Sequence, residues 1–243
     1  MAHVNARIIQ VSKMEGEICM KTMYRTHGTL VYFILSDLDP AYHNAVRQLE
    51  FREVEDGFAR VYPVGSAHLD RIYQNFTRYA EEMILQMAGI HSVPWEQALH
   101  AFLQRVDQEN IAWWLVGSTA LAVRGLDIIP HDIDLSVDDE GAHKLGRILL
   151  DYLIEPIQDS RGWVSNWFGR AFLHARIEWV GGVDPKVDDD EITDYGPLAA
   201  SRMETVFWQG YQIHIPPLDL QLEVSERRGL TDRVEKIKRA IIR

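Results

Sequence analysis

Cysteine is almost missing from this chain: Cys19 is the single one among 243 residues. An internal disulfide and a cysteine-built zinc site are thereby excluded, and a reducing cytoplasm is the expected compartment. No apolar run approaches the roughly 18 residues of a membrane span, and residues 1–7 lack a signal peptide's apolar stretch. Basic clusters are also scarce. No run of Lys or Arg exceeds two, and the net charge is −11. Proteins that grip a nucleic-acid backbone present a basic face, so a long RNA or DNA is disfavoured as partner, and a small, even cationic, molecule suits the charge better. Several signatures are missing as well. There is no Gly-x-x-x-x-Gly-Lys-Ser/Thr loop, no Gly-x-Gly-x-x-Gly fingerprint and no Gly-x-Ser-x-Gly elbow, and the histidines show no His-Glu-x-x-His spacing.

What is present suffices for a sizeable core. Apolar residues make up 47% and charged residues 25%, a globular composition for one large domain or two small ones. The first sixty residues read as β-rich, with strands at 7–12, 18–25, 30–36 and 58–64 and turns at Glu15-Gly16 and His27-Gly28. Asp39-Pro40 opens a short helix over 41–49. A long helix follows, in which Leu69, Ile72, Tyr73, Phe76, Tyr79, Ala80, Met83, Ile84 and Met87 recur at helical spacing. The break at 91–94 marks an expected division into residues 1–90, of unassigned role, and 91–243. Residues 1–90 could serve oligomerisation or a protein partner.

Beyond the break, a helix with Trp95, Leu99, Phe102, Leu103 and Val106 on one face leads into alternating strands and helices. Strands are expected at 113–117, 132–137 and 171–180, helices at 118–124 and 141–153. An acidic loop over 184–194 with a solvated run at 188–191, a hairpin around Gln209-Gly210, a segment at 218–226 after Pro216-Pro217, and a final amphipathic helix at 232–242 complete the reading.

Three short strings carry chemistry. In Val116-Gly117-Ser118-Thr119 an apolar strand ends in Gly-Ser and a small-residue helix starts at once. Glycine permits close backbone approach, serine caps, and the free amides of such a junction attract phosphate oxygens. The hydroxyls of Ser118 and Thr119 are further candidate donors. Alone, the string is an ordinary cap. In Asp132-Ile133-Asp134 the two carboxylates share one face of a strand, where their repulsion asks for a divalent cation; the bland alternative is a solvated strand end. Glu178 sits within an apolar-alternating strand, and completes a three-carboxylate site if that strand neighbours the aspartate strand. Trp163 and Trp167 are stacking candidates, with core packing the stronger expectation. His131 reads first as a strand-edge residue.

Together the strings resemble the nucleotidyltransferase superfamily that includes aminoglycoside and lincosamide adenylyltransferases and the minimal nucleotidyltransferases. The resemblance rests on Val116-Gly117-Ser118, Asp132-Ile133-Asp134 and Ile177-Glu178-Trp179, and spans about residues 111–180. It implies an α/β (α+β) fold with a mixed sheet flanked by helices, beside the β-rich N-terminal region. It also implies Mg²⁺-dependent transfer of a nucleoside monophosphate from a nucleoside triphosphate, with ATP the expected donor, to a hydroxyl acceptor. Asp132, Asp134 and Glu178 would be the catalytic and metal-binding acids. Gly117, Ser118, Thr119 and Arg124 would face the triphosphate, Arg124 being weighed against an ordinary surface arginine. The family's C-terminal lysine has no secure counterpart; Arg227, Arg228, Arg233 and Lys236 are the available replacements. Two other readings stay open: a toxin-like nucleotidyltransferase of a toxin–antitoxin pair, and a non-catalytic nucleotide-binding scaffold.

Overall fold

A computed structural model describes residues 5–9, 18–160 and 163–242. The expected turn at Glu15-Gly16, and residues 10–12 of the first expected strand, lie outside the described residues. The chain divides into two compact units: residues 1–92 together with 150–156, and residues 93–149 together with 157–243. No helix among the described residues is long and apolar enough to cross a membrane.

The first unit is a five-stranded antiparallel sheet under one long helix. Strands β1 (Asn5–Ile9), β2 (Lys21–His27), β3 (Leu30–Ser36), β4 (Arg52–Val54) and β5 (Gly57–Pro63) lie in the order β1-β2-β3-β5-β4. Between β3 and β4 run a 3-10 turn at Pro40–Tyr42, capped by the Asp39 carboxylate, and helix α1 (His43–Gln48). Helix α2 (Leu69–Met87) lays the expected apolar stripe on the sheet. Tyr73 and Phe76 contact Phe33 of β3 at ring-centroid distances of 5.3 and 5.6 Å.

The segment 150–156 belongs to this unit for a polar reason. Asn75 of α2 donates to the carbonyls of Leu150 and Leu153, at 2.9 and 3.0 Å. Glu155, only 1% exposed, receives Arg60 at 2.5 Å and the Tyr62 hydroxyl at 3.4 Å. A helix expected to run to residue 153 is therefore shorter. It ends at Ile148, because the next turn's carbonyls are spent on Asn75.

The second unit carries the alternating pattern. It contains α3 (Trp95–Val106), β6 (Trp113–Val116), α4 (Gly117–Val123), β7 (Ile133–Val137), α5 (Asp139–Ile148), β8 (Gln158–Asp159), β9 (Ser165–Leu173) and β10 (Ala175–Val183). After these come α6 (Val187–Asp190), α7 (Pro197–Ser201), the hairpin β11 (Glu204–Trp208) and β12 (Tyr211–Ile215), α8 (Leu218–Arg227) and α9 (Thr231–Ile241). The main sheet has the order β6-β7-β10-β9-β8. Only β7 and β10 are parallel; the other neighbours are antiparallel, so the sheet is mixed as expected.

Two sequence expectations are corrected. The single strand over 171–180 is the end of one strand and most of another, turning at His174 in the left-handed region (φ +64°). Apolar alternation runs on through that turn and hides it. The acidic stretch 184–194 is not simply a solvated loop: it contains α6 and delivers a buried Asp194.

In β10 the period of two separates buried Ala175, Ile177 and Trp179 from the half-buried face of Arg176, Glu178 and Val180. Trp179 donates its indole N–H to Ala142 of α5, at 3.3 Å, which fixes the strand's apolar side and leaves Glu178 on the other.

Removing Glu155 would leave Arg60 without its buried partner. Because Arg60 keeps the Leu49 carbonyl and Glu50, Glu155→Ala is expected to destabilise the protein by about 1.5–3 kcal/mol in urea denaturation, the usual worth of a charged hydrogen bond. A loss under ~1 kcal/mol would show that the pair does not hold the segment.

Candidate active site

The strand order brings the three strings together. Register places Val116 of β6 opposite Asp134 of β7, and Glu178 of β10 beside the same Asp134. Gly117 then leaves β6 with φ +65°. A Cβ at this position would lie 2.6 Å from Asp134 Oδ2, so the junction needs glycine both for its backbone angle and for its lack of a side chain.

Around this junction opens a cavity of about 480 Å³. Asp132, Asp134, Glu178 and Asp194 line it together with Arg227, Arg228 and Arg233 from the C-terminal helices and their connection. Gln221 of α8 ties that region to the junction by donating to the Gly117 carbonyl at 3.2 Å.

The acids differ sharply in their partners. Arg176 donates to Asp132 and stands 2.9 Å from Glu178, while Arg170, opposite Glu178 on β9, reaches it at 2.5 Å. Asp194, 8% exposed, accepts the Gly117 backbone N–H at 3.3 Å. Asp134 makes no hydrogen bond or ion pair among the described residues. Burial, followed by the like charges of Asp132 and Glu178, holds its carboxyl well above the usual carboxylate range. Burial also raises the carboxyl of Asp194, against the pull of the Gly117 amide and of Arg228 and Arg233.

On the basic side, Arg227 is spent on the Ile192 carbonyl (2.7 Å) and Glu191 (3.1 Å). Arg228 and Arg233 line the cavity without a hydrogen bond or ion pair among the described residues. Burial and the neighbouring Arg228 depress the guanidinium of Arg233, while Asp194, Asp134 and Asp132 favour its charge.

The remaining sequence candidates sort clearly. Gly117, Asp132, Asp134 and Glu178 meet at the cavity. Ser118 is buried and is not among the lining residues. Thr119, wholly buried, donates its hydroxyl to the Asp132 carbonyl at 2.6 Å and is not among the lining residues. Arg124 donates to the Pro216 carbonyl at 2.7 Å and pairs with Glu204 at 2.5 Å, away from the cavity lining. Lys236 pairs with Asp232 at 2.8 Å. Trp163 is not core: it is 60% exposed and lines the cavity, whereas Trp167 packs edge-on against His143 at 4.3 Å.

Asp132, Asp134 and Glu178 line the same cavity, with Asp132 and Glu178 engaged by arginines. Among the described residues no three His, Cys, Asp or Glu side chains could hold a metal ion. The reason is local: Arg176 and Arg170 hold two of the three acids.

Sequence reading missed Asp194. Its only signal was the apolar and aromatic break of Ile192, Tyr195 and Gly196 within an acid-rich stretch.

The buried, unpaired Asp134 makes stability depend on pH. A carboxyl whose pKa is raised on folding keeps its proton more tightly in the folded state. Folding therefore loses free energy as pH rises from the ordinary value of 3.8 through the raised one. In chelator-treated buffer, Asp134→Asn is expected to melt higher than the wild type at pH 7, with the difference closing below about pH 4. An equal or lower Tm at pH 7 would show that Asp134 carries no such cost.

No curated protein matches the chain. A nucleotidyltransferase candidate from Thermotoga maritima is 22% identical, with a TM-score of 0.48 over 62% of this chain and 96% of that one. The lincosamide antibiotic adenylyltransferase LnuA, with lincomycin bound, is 15% identical, with a TM-score of 0.41 over 61% of this chain and 98% of that one. ANT(2")-Ia, in complex with adenylyl-2"-tobramycin, is 12% identical, with a TM-score of 0.40 over 59% and 87%. A family model, aminoglycoside-2''-adenylyltransferase, matches residues 98–163, a stretch that holds Gly117-Ser118 and both aspartates and stops short of Glu178. Over that stretch the chain is similar to the aminoglycoside-2''-adenylyltransferases, which bears out its resemblance to nucleotidyltransferases.

Proposed function

We propose that this protein transfers a nucleoside monophosphate from a nucleoside triphosphate, ATP first among the donors, to a hydroxyl acceptor. One observation carries the reading: one cavity holds Asp134 and its acidic neighbours together with Arg228 and Arg233, and among the described residues Asp134 and both arginines are without hydrogen bond or ion pair. Guanidinium groups are matched to phosphate oxygens, and the bare Gly117 junction admits close approach. The family match over residues 98–163 supports the same reaction class.

The donor set fits Mg²⁺ in kind. Among the described residues Asp134 is a carboxylate without hydrogen bond or ion pair, with three more carboxylates around the same cavity, and a hard divalent cation supplies the positive charge that offsets them. Asp132 and Asp134 would hold it, and when bound it would polarise the phosphate that is attacked. The chain's own residues do the rest. Arg228 and Arg233 draw the triphosphate's charge to one wall. Thr119 holds the backbone of Asp132 in place. Glu178 anchors Arg170 and Arg176, which makes it a positioning acid as it stands. The acceptor hydroxyl oxygen bonds to the α-phosphorus and releases its proton to solvent, the bond from the α-phosphorus to the α–β bridging oxygen breaks, and pyrophosphate leaves with that electron pair.

The cavity's acids and the net charge of −11 suit a cationic acceptor. The family match over residues 98–163 supports amino sugars as the first acceptors to screen. A second reading, nucleotide binding without turnover, is favoured by the engagement of Asp132 and Glu178 by arginines.

Calorimetric titration of ATP, with and without Mg²⁺, tests the donor side, and pyrophosphate release over a panel of amino sugars tests turnover. Asp132→Asn and Asp134→Asn are each expected to lower transfer on the order of a hundred- to a thousandfold with the fold intact. Arg228→Ala and Arg233→Ala are each expected to weaken ATP binding about tenfold or more. Mg²⁺-dependent ATP binding without pyrophosphate release on any acceptor would favour the second reading. No binding of any triphosphate would overturn both.

A further inference from the structure

The segment between β10 and β11 is built as a strap across the nucleotide cavity. Its anchor is Asp188, whose carboxylate takes the Thr193 N–H at 2.9 Å, the Thr193 hydroxyl at 2.8 Å and the Leu198 N–H at 2.8 Å. Arg227 of α8 holds the strap through the Ile192 carbonyl and Glu191. Ser136 of β7 donates to the Tyr195 carbonyl at 3.2 Å. These ties carry Asp194 into the interior. There its carboxylate accepts the Gly117 N–H and shares the cavity lining with Arg228 and Arg233. A carboxylate oxygen thus already satisfies the amide of the Gly117 junction, in a cavity also lined by two guanidiniums that have no hydrogen bond or ion pair among the described residues.

We infer that Asp194 is a built-in stand-in for a phosphate: its carboxylate sits on the Gly117 amide in the seat that a triphosphate would share with Arg228 and Arg233, and a nucleotide binds by displacing the strap. The inference rests on the proposed function, because it takes that seat to be the triphosphate's. The exchange is of like for like. One anion leaves the Gly117 amide as another arrives, and the incoming phosphate also reaches Arg228 and Arg233. Apparent affinity is reduced by the fraction of molecules in which the strap is closed. A ligand must also bring more anionic oxygens than one carboxylate to win the seat, which favours a pyrophosphate or triphosphate over a monophosphate.

The experiment titrates inorganic pyrophosphate and ATP into the full chain as wild type, Asp194→Asn and Asp188→Asn, and follows hydrogen exchange of residues 188–196. Asp194→Asn removes the competing charge and is expected to tighten pyrophosphate binding about tenfold, with Asp188→Asn moving the same way by loosening the strap. In the wild type, pyrophosphate is expected to speed exchange across residues 188–196. If Asp194→Asn does not fold, Asp188→Asn and the exchange measurement carry the test. ATP binding to the wild type with unchanged or weaker pyrophosphate affinity in the variants, or with slowed exchange in the strap, would overturn the strap and leave the proposed function standing. Absence of any pyrophosphate or ATP binding in wild type and variants alike would overturn both.

Discussion

The packing of the Asp134 carboxylate against a glycine that has no side chain is the constraint on which the rest of the site depends. Oδ2 of Asp134 stands where any Cβ at Gly117 would collide with it. The strand–helix junction and the aspartate strand can therefore approach only with glycine at that position. The approach buries a carboxylate among like charges, a cost that packing alone does not offset. Cationic groups gather around it in response: Arg176 reaches Asp132, Arg170 reaches Glu178, and Arg228 and Arg233 stand on the far wall. The cavity is thus a place where acids and bases are present together but only partly paired, the condition under which a charged ligand with its own counter-ion gains most.

Fold and chemistry are connected through the mixed sheet. The parallel pairing of β7 with β10 sets Glu178 beside Asp134, and the antiparallel pairing of β9 with β10 sets Arg170 opposite Glu178. One strand therefore carries an acid between an acid on one neighbour and a base on the other. Trp179, buried and hydrogen-bonded to Ala142, keeps β10 from slipping by a residue, a slip that would turn Glu178 into the core. Stability on the apolar face and chemistry on the polar face are two consequences of the same register.

Much of this was legible in the residue order. The helix Leu69–Met87 follows from its 3.6-residue periodicity, and β3, β5, β6 and β7 from their apolar and β-branched runs. The similarity to nucleotidyltransferases followed from Gly117-Ser118 and Asp132-Ile133-Asp134, and the family match covers those same positions. What escaped the reading escaped for definite reasons. The turn at His174 lies in an unbroken apolar alternation, and a histidine gives no glycine-like signal of a positive φ. The helix after Asp138 stops early because Asn75, more than sixty residues upstream in sequence, claims the carbonyls of the following turn. Thr119 and Arg124 had the right chemistry at the right spacing, yet backbone carbonyls at Asp132 and Pro216 claim them.

By itself the sequence determined which residue types share a face and which junction must be glycine, because strand period and backbone sterics are local properties of consecutive residues. It determined the absence of disulfides in the same direct way, having only Cys19. Tertiary structure alone decided which charges meet. Asp194, Arg228 and Arg233 lie scores of residues from Gly117 in the chain and reach it only through the fold. The partner of a buried charge is chosen by distance and desolvation in space, and neither quantity is encoded in any short stretch of residues.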